Sequence, residues 1–460
     1  MAGSCALRNK IKQLAGRLQN AEEVAEVLNA NDVFPTVFEV DPSYEVSQFE
    51  RTPFRSDLSK EANITGTILT NVNFQIEPKG QGTAGQRPNY ADYLMASGLA
   101  EVKLVAITVS ATSGGPLTMG DTLTDGDGAT YRLFVQPRSV TELVAYRLTG
   151  SGTPTTLTLA GPASYAATFD SVDEEYGWGF EPHSIVTSTV ALNASPNYTP
   201  GETVVGSISG GTARVIYMGS SQLWYKSINA IDFVNNDVIT GQSSTLSATA
   251  TADAGCGFPT PPMTLYVNQD GVRTTVPGAR GRVNVSFGAV GEPGRFEFEM
   301  QGPSGANPID SAPFAETADN LIPPKFQGAT IQLDVGGTVY VPVLSQMNIQ
   351  VDNTLSSRMD ATSTSGIRSV IITDRDFNGA FDPEMVPVAT FGFHAKWFSD
   401  TLERFYASVG SVAGNIVEFY VEKIQYTGIS FGNREELLLA GTDFKCVRNI
   451  SDDAMKIVVR

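Results

Sequence analysis

The sequence predicts a mainly β protein from its glycine and proline content, its alternating apolar residues and its low density of charge. Its 460 residues include 44 glycines and 25 prolines, and only 17% are charged. Thr, Ser and Val are abundant, which is typical of many short strands joined by tight turns. An apolar fraction of 41% is sufficient for a folded chain. We expect a mainly β fold with two small inserted β modules and an N-terminal helical arm.

The helical arm is predicted over residues 1–35. Apolar side chains recur there at the spacing of one helix face, at Leu7, Ile11, Leu14 and Leu18. Asn20 is a good N-cap residue, which predicts a second short helix from Ala21 to about Leu28. We expect the arm to dock on the protein or on a neighbouring subunit rather than on a membrane surface.

Two regions in the middle of the chain resemble each other, and we interpret them as duplicated β modules at 106–177 and 191–262. Residues of one region match residues of the other at a nearly constant offset, pairing Gly120 with Gly201, Leu123 with Val204, Arg132 with Arg214 and Leu143 with Leu223. A constant offset between similar segments is the signature of an internal repeat. Each copy contains several short alternating stretches, so each is predicted to be a small β unit.

The remaining segments are predicted to form one larger unit that the modules interrupt, consisting of residues 36–105, 178–190 and 263–460. An alternating strand runs from Gly66 to Gly82 and ends in a glycine turn. From Met263 to Gly302 the sequence reads as an antiparallel meander with an Asp-Gly turn at 270–271. A further hairpin is predicted with its turn at 336–337.

The formal net charge of −18 argues against a protein that grips nucleic acid through its phosphates. Three cysteines lie far apart, at Cys5, Cys256 and Cys446, which fits reduced thiols in a cytoplasmic product. No apolar run reaches the roughly 18 residues of a membrane span. The N-terminus also lacks the apolar block of a signal peptide, so we expect no membrane partner and no export by a leader.

The stretch TDRDFNGAFDPE, at 373–384, resembles the start of a calcium loop because acidic and amide residues alternate ahead of a glycine. Met385 occupies the position where an EF-hand needs its closing glutamate. A looser metal site would use Asp374, Asp376, Asn378 and Asp382. We favour a turn without metal, since the same residue types form turns on their own, and we expect no cofactor.

No motif of a known catalytic machine stands out in the sequence. The chain has only two histidines, His183 and His394, which excludes a multi-histidine metal site within one chain. No G-x-S-x-G elbow or nucleophilic cysteine motif is present. The acidic stretch at 170–177 offers the paired carboxylates of a glycosidase, but most such pairs in an acidic protein are solvated. We therefore expect that the protein is not an enzyme.

Segments outside the two modules occur in a recognisable order along the chain. They are KIKQLAGRLQ, VFPTVFEVDPS, FERTPFRSDLSK, NYADYLMASGL, GFEPHS, MTLYVNQDGVRTTVPGARGRVNVSF, FEFEMQG, IITDRDFNGAFDPE and EFYVEKIQYTG. In this order they resemble the tail tube proteins (major tail proteins) of long-tailed bacteriophages, in the long form that carries insertions. The residues from Tyr90 to Gly98 resemble the family's short helix, and Gly278 to Gly281 resemble its Gly-Ala-Arg-Gly segment.

The resemblance implies a β-sandwich or barrel subunit with a short helix, which serves as a structural virion protein in the phage tail and is assembled in the bacterial host cytoplasm. Six copies would form a ring, and rings would stack into the hollow tube that delivers DNA to the host cell. The partners would be further copies of the chain, the tape measure protein, the tail terminator and the tail-tip proteins. Strands of neighbouring subunits would close an inner β-barrel, which leaves no free sheet edges. Genomic DNA would pass through an electronegative lumen without specific binding.

The resemblance supports three further expectations. The modules interrupt the chain where hairpin loops would lie, so they decorate the tail exterior and favour a flexible, non-contractile tail. Arg375 and Glu384 are candidate contacts between subunits, although a local turn explains them equally well.

The principal alternative function for the whole chain is a receptor-binding or adhesin-type β protein, and a glycan-acting enzyme is a second alternative.

Overall fold

The computed structural model describes residues 12–460, apart from residues 21–23, 29–31, 35–36, 53, 55–59, 138, 140, 153–155, 157, 183–186, 258–259, 306, 316–318, 336 and 451. The described residues form 29 strands and two helices of six residues each. The prediction of a mainly β fold is therefore confirmed. Neither of these two helices has the length and apolar character needed to span a membrane.

The elements lie in three stretches of the chain. The first stretch contains β1 (Lys12–Leu18), β2 (Val33–Phe34), β3 (Phe38–Phe49), β4 (Ile64–Ile76) and α1 (Ala91–Ala96). The second contains β5 (Leu99–Ser113), β6 (Thr122–Asp125), β7 (Thr130–Leu133), β8 (Glu142–Thr149), β9 (Thr158–Ala160), β10 (Ala166–Pro182), β11 (Thr187–Ala191), β12 (Thr203–Gly206), β13 (Thr212–Met218), β14 (Gln222–Ser227), β15 (Val238–Gly241), β16 (Ser247–Thr249) and β17 (Gly255–Gly257). The third contains β18 (Met263–Gln269), β19 (Val272–Phe287), β20 (Arg295–Pro303), β21 (Ile309–Asp310), β22 (Thr330–Val335), β23 (Thr338–Tyr340), β24 (Met347–Met359), β25 (Ile367–Phe381), α2 (Phe393–Phe398), β26 (Glu403–Val409), β27 (Val417–Arg434), β28 (Leu437–Cys446) and β29 (Lys456–Val459).

The prediction of an N-terminal helical arm is wrong for the residues that the structure describes. Residues 12–18 form strand β1, which pairs antiparallel with β18 from Lys12 opposite Gln269 to Leu18 opposite Met263. Residues 24–28 are not helical either, and residues 1–11 and 21–23 lie outside the described part. Leu14 and Leu18 are four positions apart, which places them on one face of a strand as well as of a helix. Pairing with the buried strand β18 satisfies the backbone hydrogen bonds of residues 12–18, so this segment forms a strand and not a helix.

A large antiparallel sheet forms the centre of the molecule. Its strands lie in the order β3, β4, β20, β19, β24, β25, β28 and β27. A second layer covers one side of this central sheet, and it consists of α1, of β1 with β18, and of β22 with β26. The largest hydrophobic cluster of the protein fills the space between the layers.

The topology repeats within the chain. The first unit consists of β1 to β4, α1 and β18 to β20, and the second consists of β22 to β25, α2 and β26 to β28. In each unit the first strand pairs with the second strand and with the sixth element of the unit, as β1 with β2 and β18, and β22 with β23 and β26. The fourth strand of each unit pairs with the last strand, as β4 with β20 and β25 with β28. Both hairpins after the helices also shift register at the same place, beside Met263 and beside Glu403.

The two units differ in the elements that come after their helices. In the second unit α2 leads into β26 after four residues, whereas strands β5 to β17 separate α1 from β18 in the first unit. The two units meet where β19 pairs with β24. The chain therefore contains two copies of one β unit, and this duplication is separate from the one predicted for the modules.

Each predicted module has a hydrophobic core of its own, around Tyr131 in the first and around Tyr225 in the second. The modules also share local geometry. The amide of Gly120 donates to the carbonyl of Leu133, and the amide of Gly201 donates to the carbonyl of Val215, at 3.0 Å in both cases. Both glycines have positive φ, which favours glycine at this turn. The module boundaries themselves stay predictions.

Glu181 of β10 connects the second module to the rest of the chain. Its carboxylate lies 2.8 Å from Nη1 of Arg214 in β13 and 3.1 Å from Nζ of Lys456 in β29. Burial raises the pKa of Glu181, but Lys456 and Arg214 outweigh this effect and lower the pKa to about 2. The carboxylate is therefore ionised at neutral pH and holds the buried Lys456 and the half-buried Arg214 in place.

Replacing Glu181 with glutamine is expected to destabilise the fold by about 3 kcal/mol, because the buried Lys456 and the half-buried Arg214 would lose their countercharge. The folded pKa of Glu181 is about 2 and the ordinary value is 4.5, so its contribution is fully present above pH 4.5. That contribution is lost as the pH falls towards 2. Urea unfolding at neutral and acidic pH measures the difference in the free energy of unfolding between the wild type and the variant. This difference should be smaller in acid.

The matched control is Glu175→Gln on the same strand. Glu175 pairs with Lys103 at 3.0 Å, but its side chain is 62% exposed. An exposed pair contributes at most about 1 kcal/mol, so this variant should unfold close to the wild type. Equal stability of the two variants at neutral pH would contradict the role assigned to Glu181.

Candidate functional site

One face of the central sheet is polar across seven strands. Polar and apolar residues alternate along these strands, so each strand directs its apolar residues into the core and its polar residues to the opposite side. We call that side the polar face, and it consists of Asp41, Ser43 and Glu45 of β3, Asn71, Asn73 and Gln75 of β4, Arg295, Glu297, Glu299 and Gln301 of β20, Arg282, Asn284 and Ser286 of β19, Asn348, Gln350, Asp352 and Thr354 of β24, Asp374, Asp376 and Asn378 of β25, and Asp443 and Lys445 of β28. All of these residues are exposed or half-buried.

A row of charged and amide side chains crosses six strands of the polar face. In the order of the strands it contains Asp41, Asn73, Glu299, Arg282, Asp352 and Asp376. Arg282 lies at the centre of the row and donates to Glu299 at 2.6 Å and to Asp352 at 3.2 Å. Burial lowers the pKa of Arg282, but its bonds to these two carboxylates outweigh that effect and raise it. The guanidinium therefore stays charged and bridges two strands.

Amide and hydroxyl groups position the one carboxylate of the neighbouring row. That row contains Gln75, Glu297, Asn284, Gln350, Asn378 and Lys445. Glu297 accepts hydrogen bonds from Asn284 at 2.8 Å and from Ser286 at 2.9 Å. Neutral donors of this kind hold a carboxylate in place without cancelling its charge. The carboxylate of Glu297 is therefore held in place with its charge intact, while Lys445 at the other end leaves this row without net charge.

The polar face has a strong excess of negative charge. Its carboxylates are Asp41, Glu45, Glu297, Glu299, Asp352, Asp374, Asp376 and Asp443, and its cations are Arg282, Arg295 and Lys445. Each cation is already bound to a carboxylate, since Lys445 lies 2.6 Å from Asp376, Arg295 lies 2.9 Å from Glu77 and Arg282 binds Glu299. Eight acidic groups against three cations give a surface that repels polyanions. Such a surface lacks the free cations that bind phosphate groups.

Aromatic side chains anchor the opposite, apolar side of the same strands. Phe298 of β20 is 1% exposed and stacks on Phe74 of β4, with ring centroids 5.1 Å apart. Tyr93 of α1 contacts both rings, at 5.9 Å from Phe298 and 5.3 Å from Phe74. These aromatic contacts therefore hold the sheet rigid directly beneath the rows of the polar face.

The structure places the candidate metal ligands in a strand and not in a loop. Strand β25 continues to Phe381, so Asp374, Asp376 and Asn378 belong to the ladder with β24, and the turn predicted over these residues is wrong. Backbone pairing with β24 and β28 on both sides keeps this segment extended. Only Asp382 lies beyond the strand.

The oxygen atoms of these residues take part in other contacts. Asp376 binds Lys445, and Asp382 accepts hydrogen bonds from the amides of Ser345 at 2.9 Å and Gln346 at 2.8 Å. Among the residues that the structure describes, no group of three or more His, Cys, Asp or Glu side chains is arranged to hold a metal ion.

Calcium is accordingly expected to leave the stability of the protein unchanged. Millimolar calcium or EDTA should move the melting temperature by less than about 1 °C, because a ligand stabilises only a state that binds it. Differential scanning calorimetry measures this. A rise of several degrees in calcium that Asp376→Asn removes would contradict the expectation.

The two candidate subunit contacts lie in different surroundings. Glu384 comes after β25 and accepts a hydrogen bond from Arg434 of the same chain at 2.9 Å. Arg375 lies within β25, where its guanidinium is 5.8 Å from the ring centroid of Phe377. Burial lowers the pKa of Arg375, with Asp452 opposing this effect. A contact of either residue with a neighbouring subunit stays a prediction.

The two histidines do not form a joint site that the structure can describe. His394 of α2 stacks on Phe431 of β27, with ring centroids 5.1 Å apart, while His183 lies outside the described residues.

The polar face was not singled out from the sequence, although the alternation in NVNFQI, RVNVSF, FEFEMQ and NIQVDN was visible there. The register of the strands is the feature that brings these residues into rows.

Comparison with known proteins adds no identification to this geometry. No family model matches the chain, and no curated protein matches it.

Proposed function

We propose that the chain is a structural subunit of the hollow tail tube of a bacteriophage, and that the polar face of its central sheet lines the bore through which DNA passes. The observation that carries this proposal is the two-sided character of the sheet. One side is a continuous acidic surface over seven strands, and the other side is packed against a hydrophobic core.

The charge of the polar face suits a channel for DNA. Strong binding to DNA depends on Lys and Arg side chains that replace counterions at phosphates. The polar face offers three such cations, and carboxylates bind all of them. A bore lined in this way would let DNA slide through without being held.

The ends of the central sheet suit assembly with further copies of the chain. In the part of the chain that the structure describes, β3 pairs only with β4, so the sheet begins with an unpaired edge. Exposed edges are aggregation-prone unless another chain pairs with them, and a closed ring of subunits removes them. Such a ring would stack with others and bind the tape measure, tail terminator and tail-tip proteins at its ends and lumen.

The attachment of the modules supports an outward orientation. Helix α1 packs its buried residues Tyr93, Leu94 and Met95 on the apolar side of the sheet. Strand β5, which leads into the first module, begins directly afterwards at Leu99. The modules therefore grow from the layer that lies away from the polar face, which favours decoration of the exterior and a tail without a contractile sheath.

Apolar residues at the far end of the β3–β4 hairpin suit contacts between stacked rings. Phe49 and Ile64 are 62% and 53% exposed, and they lie opposite each other at the end of the ladder. Exposed apolar patches of this kind mark interaction sites. A neighbouring ring in the stack would cover them.

Negative-stain electron microscopy of the purified chain over a range of concentrations tests this function. A tube subunit should form rings or tubes with a central hole, alone or with a nucleator. Discrete small particles at every concentration would contradict the proposal. Small particles that bind cells or glycans would favour the adhesin alternative.

A further inference from the structure

We propose that three copies of this chain, and not six, close each ring, and that strand β3 of one copy pairs antiparallel with strand β27 of the next. This inference rests on the proposed tube function and extends it. The partner that the two open ends of the central sheet recognise is a second copy of the same chain.

The first step is the duplication within the chain. The unit of β1 to β4, α1 and β18 to β20 has the same strand pairings as the unit of β22 to β25, α2 and β26 to β28. Each unit contributes four strands to the central sheet, ending with β3 in the first unit and with β27 in the second. One chain therefore supplies two of the units from which a ring would be built.

The second step is the junction between the two units, which serves as a template. Strand β19 ends the first unit and pairs with β24, the start of the second, from Val283 opposite Val351 to Phe287 opposite Met347. By topology, β27 corresponds to β19, and β3 corresponds to β24. The same antiparallel pairing is therefore available between β27 of one chain and β3 of another.

The third step is that strands β27 and β3 each have one edge without a partner strand in the described part of the chain. In the described part of the chain, residues 425–434 of β27 pair with β28 on one side and with no strand on the other. The outer edge of β3 likewise has no partner strand. An edge strand is a template for pairing with another chain, and head-to-tail contacts of this type close into rings.

Exposure of apolar side chains marks the same place. Phe431 of β27 is 67% exposed, although it points to the core side of the sheet opposite the buried Ala440. In the corresponding stretch of β19, Val285 and Phe287 are each 1% exposed because β24 and its unit cover them. A neighbouring copy seated on β27 would bury Phe431 in the same way.

The number of chains is set by the number of units. The resemblance to tail tube proteins implies six units around the ring, and two units per chain give three chains. The modules are inserted only after α1 and not after α2. Their positions on the exterior would therefore have threefold symmetry while the bore approaches sixfold symmetry.

Two measurements test the inference. Native mass spectrometry of isolated rings should give three chains, and electron microscopy of tubes viewed end-on should show threefold decoration. Rings of six chains would overturn the inference while leaving the tube function in place. A complete absence of rings would overturn the proposed function and this inference with it.

A pair of variants tests the seam itself. Phe431→Lys should reduce ring formation more than tenfold, while Ile208→Lys, at a residue 64% exposed in the second module, should leave it unchanged. Thermal melting of the unassembled variants shows whether both remain folded. Normal assembly of a folded Phe431→Lys variant would overturn the pairing of β27 with β3.

Discussion

Replacing Asp374 and Asp443 with lysine is expected to slow DNA ejection from particles that carry this chain by about tenfold or more, while tubes still assemble. Both residues are exposed on the polar face. The double variant changes the charge of every chain by four units and supplies free cations, whereas the wild-type cations of this face, Arg282, Arg295 and Lys445, are all bound to carboxylates. In the proposed tube, lysine side chains along the bore would contact phosphates and release counterions, which makes DNA adhere.

The control carries the same change of charge on the modules, as Glu142→Lys with Asp253→Lys. Both residues are exposed and lie outside the polar face. Ejection triggered in the presence of a DNA-binding dye should be slow only in the polar-face variant, and the delay should shrink at higher salt. Equal ejection rates in the two variants would show that the polar face does not line the path of DNA.

Replacing Phe298 with alanine is expected to destabilise the protein by about 3–5 kcal/mol, the usual cost of deleting a fully buried phenyl ring. Phe298 is 1% exposed and contacts Phe74, Tyr93 and Phe296. A cavity at this point would loosen β20 and β4, on which the rows of the polar face depend. Urea denaturation of the unassembled chain measures the loss, and assembly should fail with it.

The next residue along the strand provides the matched control. Glu299 points to the opposite side of the sheet, where its side chain is 55% exposed. Glu299→Gln removes one partner of Arg282 and should cost no more than about 1 kcal/mol. A similar loss of stability in both variants would contradict the two-sided character of β20.

Local sequence signals predict a large part of this fold. The Asp-Gly turn at 270–271 joins β18 and β19 as expected, and the helix implied for Tyr90 to Gly98 forms as Ala91–Ala96. These features depend on neighbours in the chain. The N-terminal strand β1 and the extended TDRDF segment depend on partners hundreds or tens of residues away, so their local patterns favoured a helix and a turn instead.

The candidate site is visible in the sequence only as alternation. Residues such as Glu299 and Asp352 can be assigned to exposed strand faces, but Arg282 bridges them only because β19 lies between β20 and β24. The duplication of the β unit is harder to detect in the sequence, because thirteen strands separate α1 from β18. The two copies also share strand pairings and not residue identities.

A cryo-electron microscopy map of the assembled tube tests the central claim most directly. The claim predicts that Glu299, Asp352 and Asp376 face the bore, that the sheets of neighbouring chains are continuous, and that the modules lie outside. A map that places the polar face on the exterior, or a bore lined by basic residues, would contradict it.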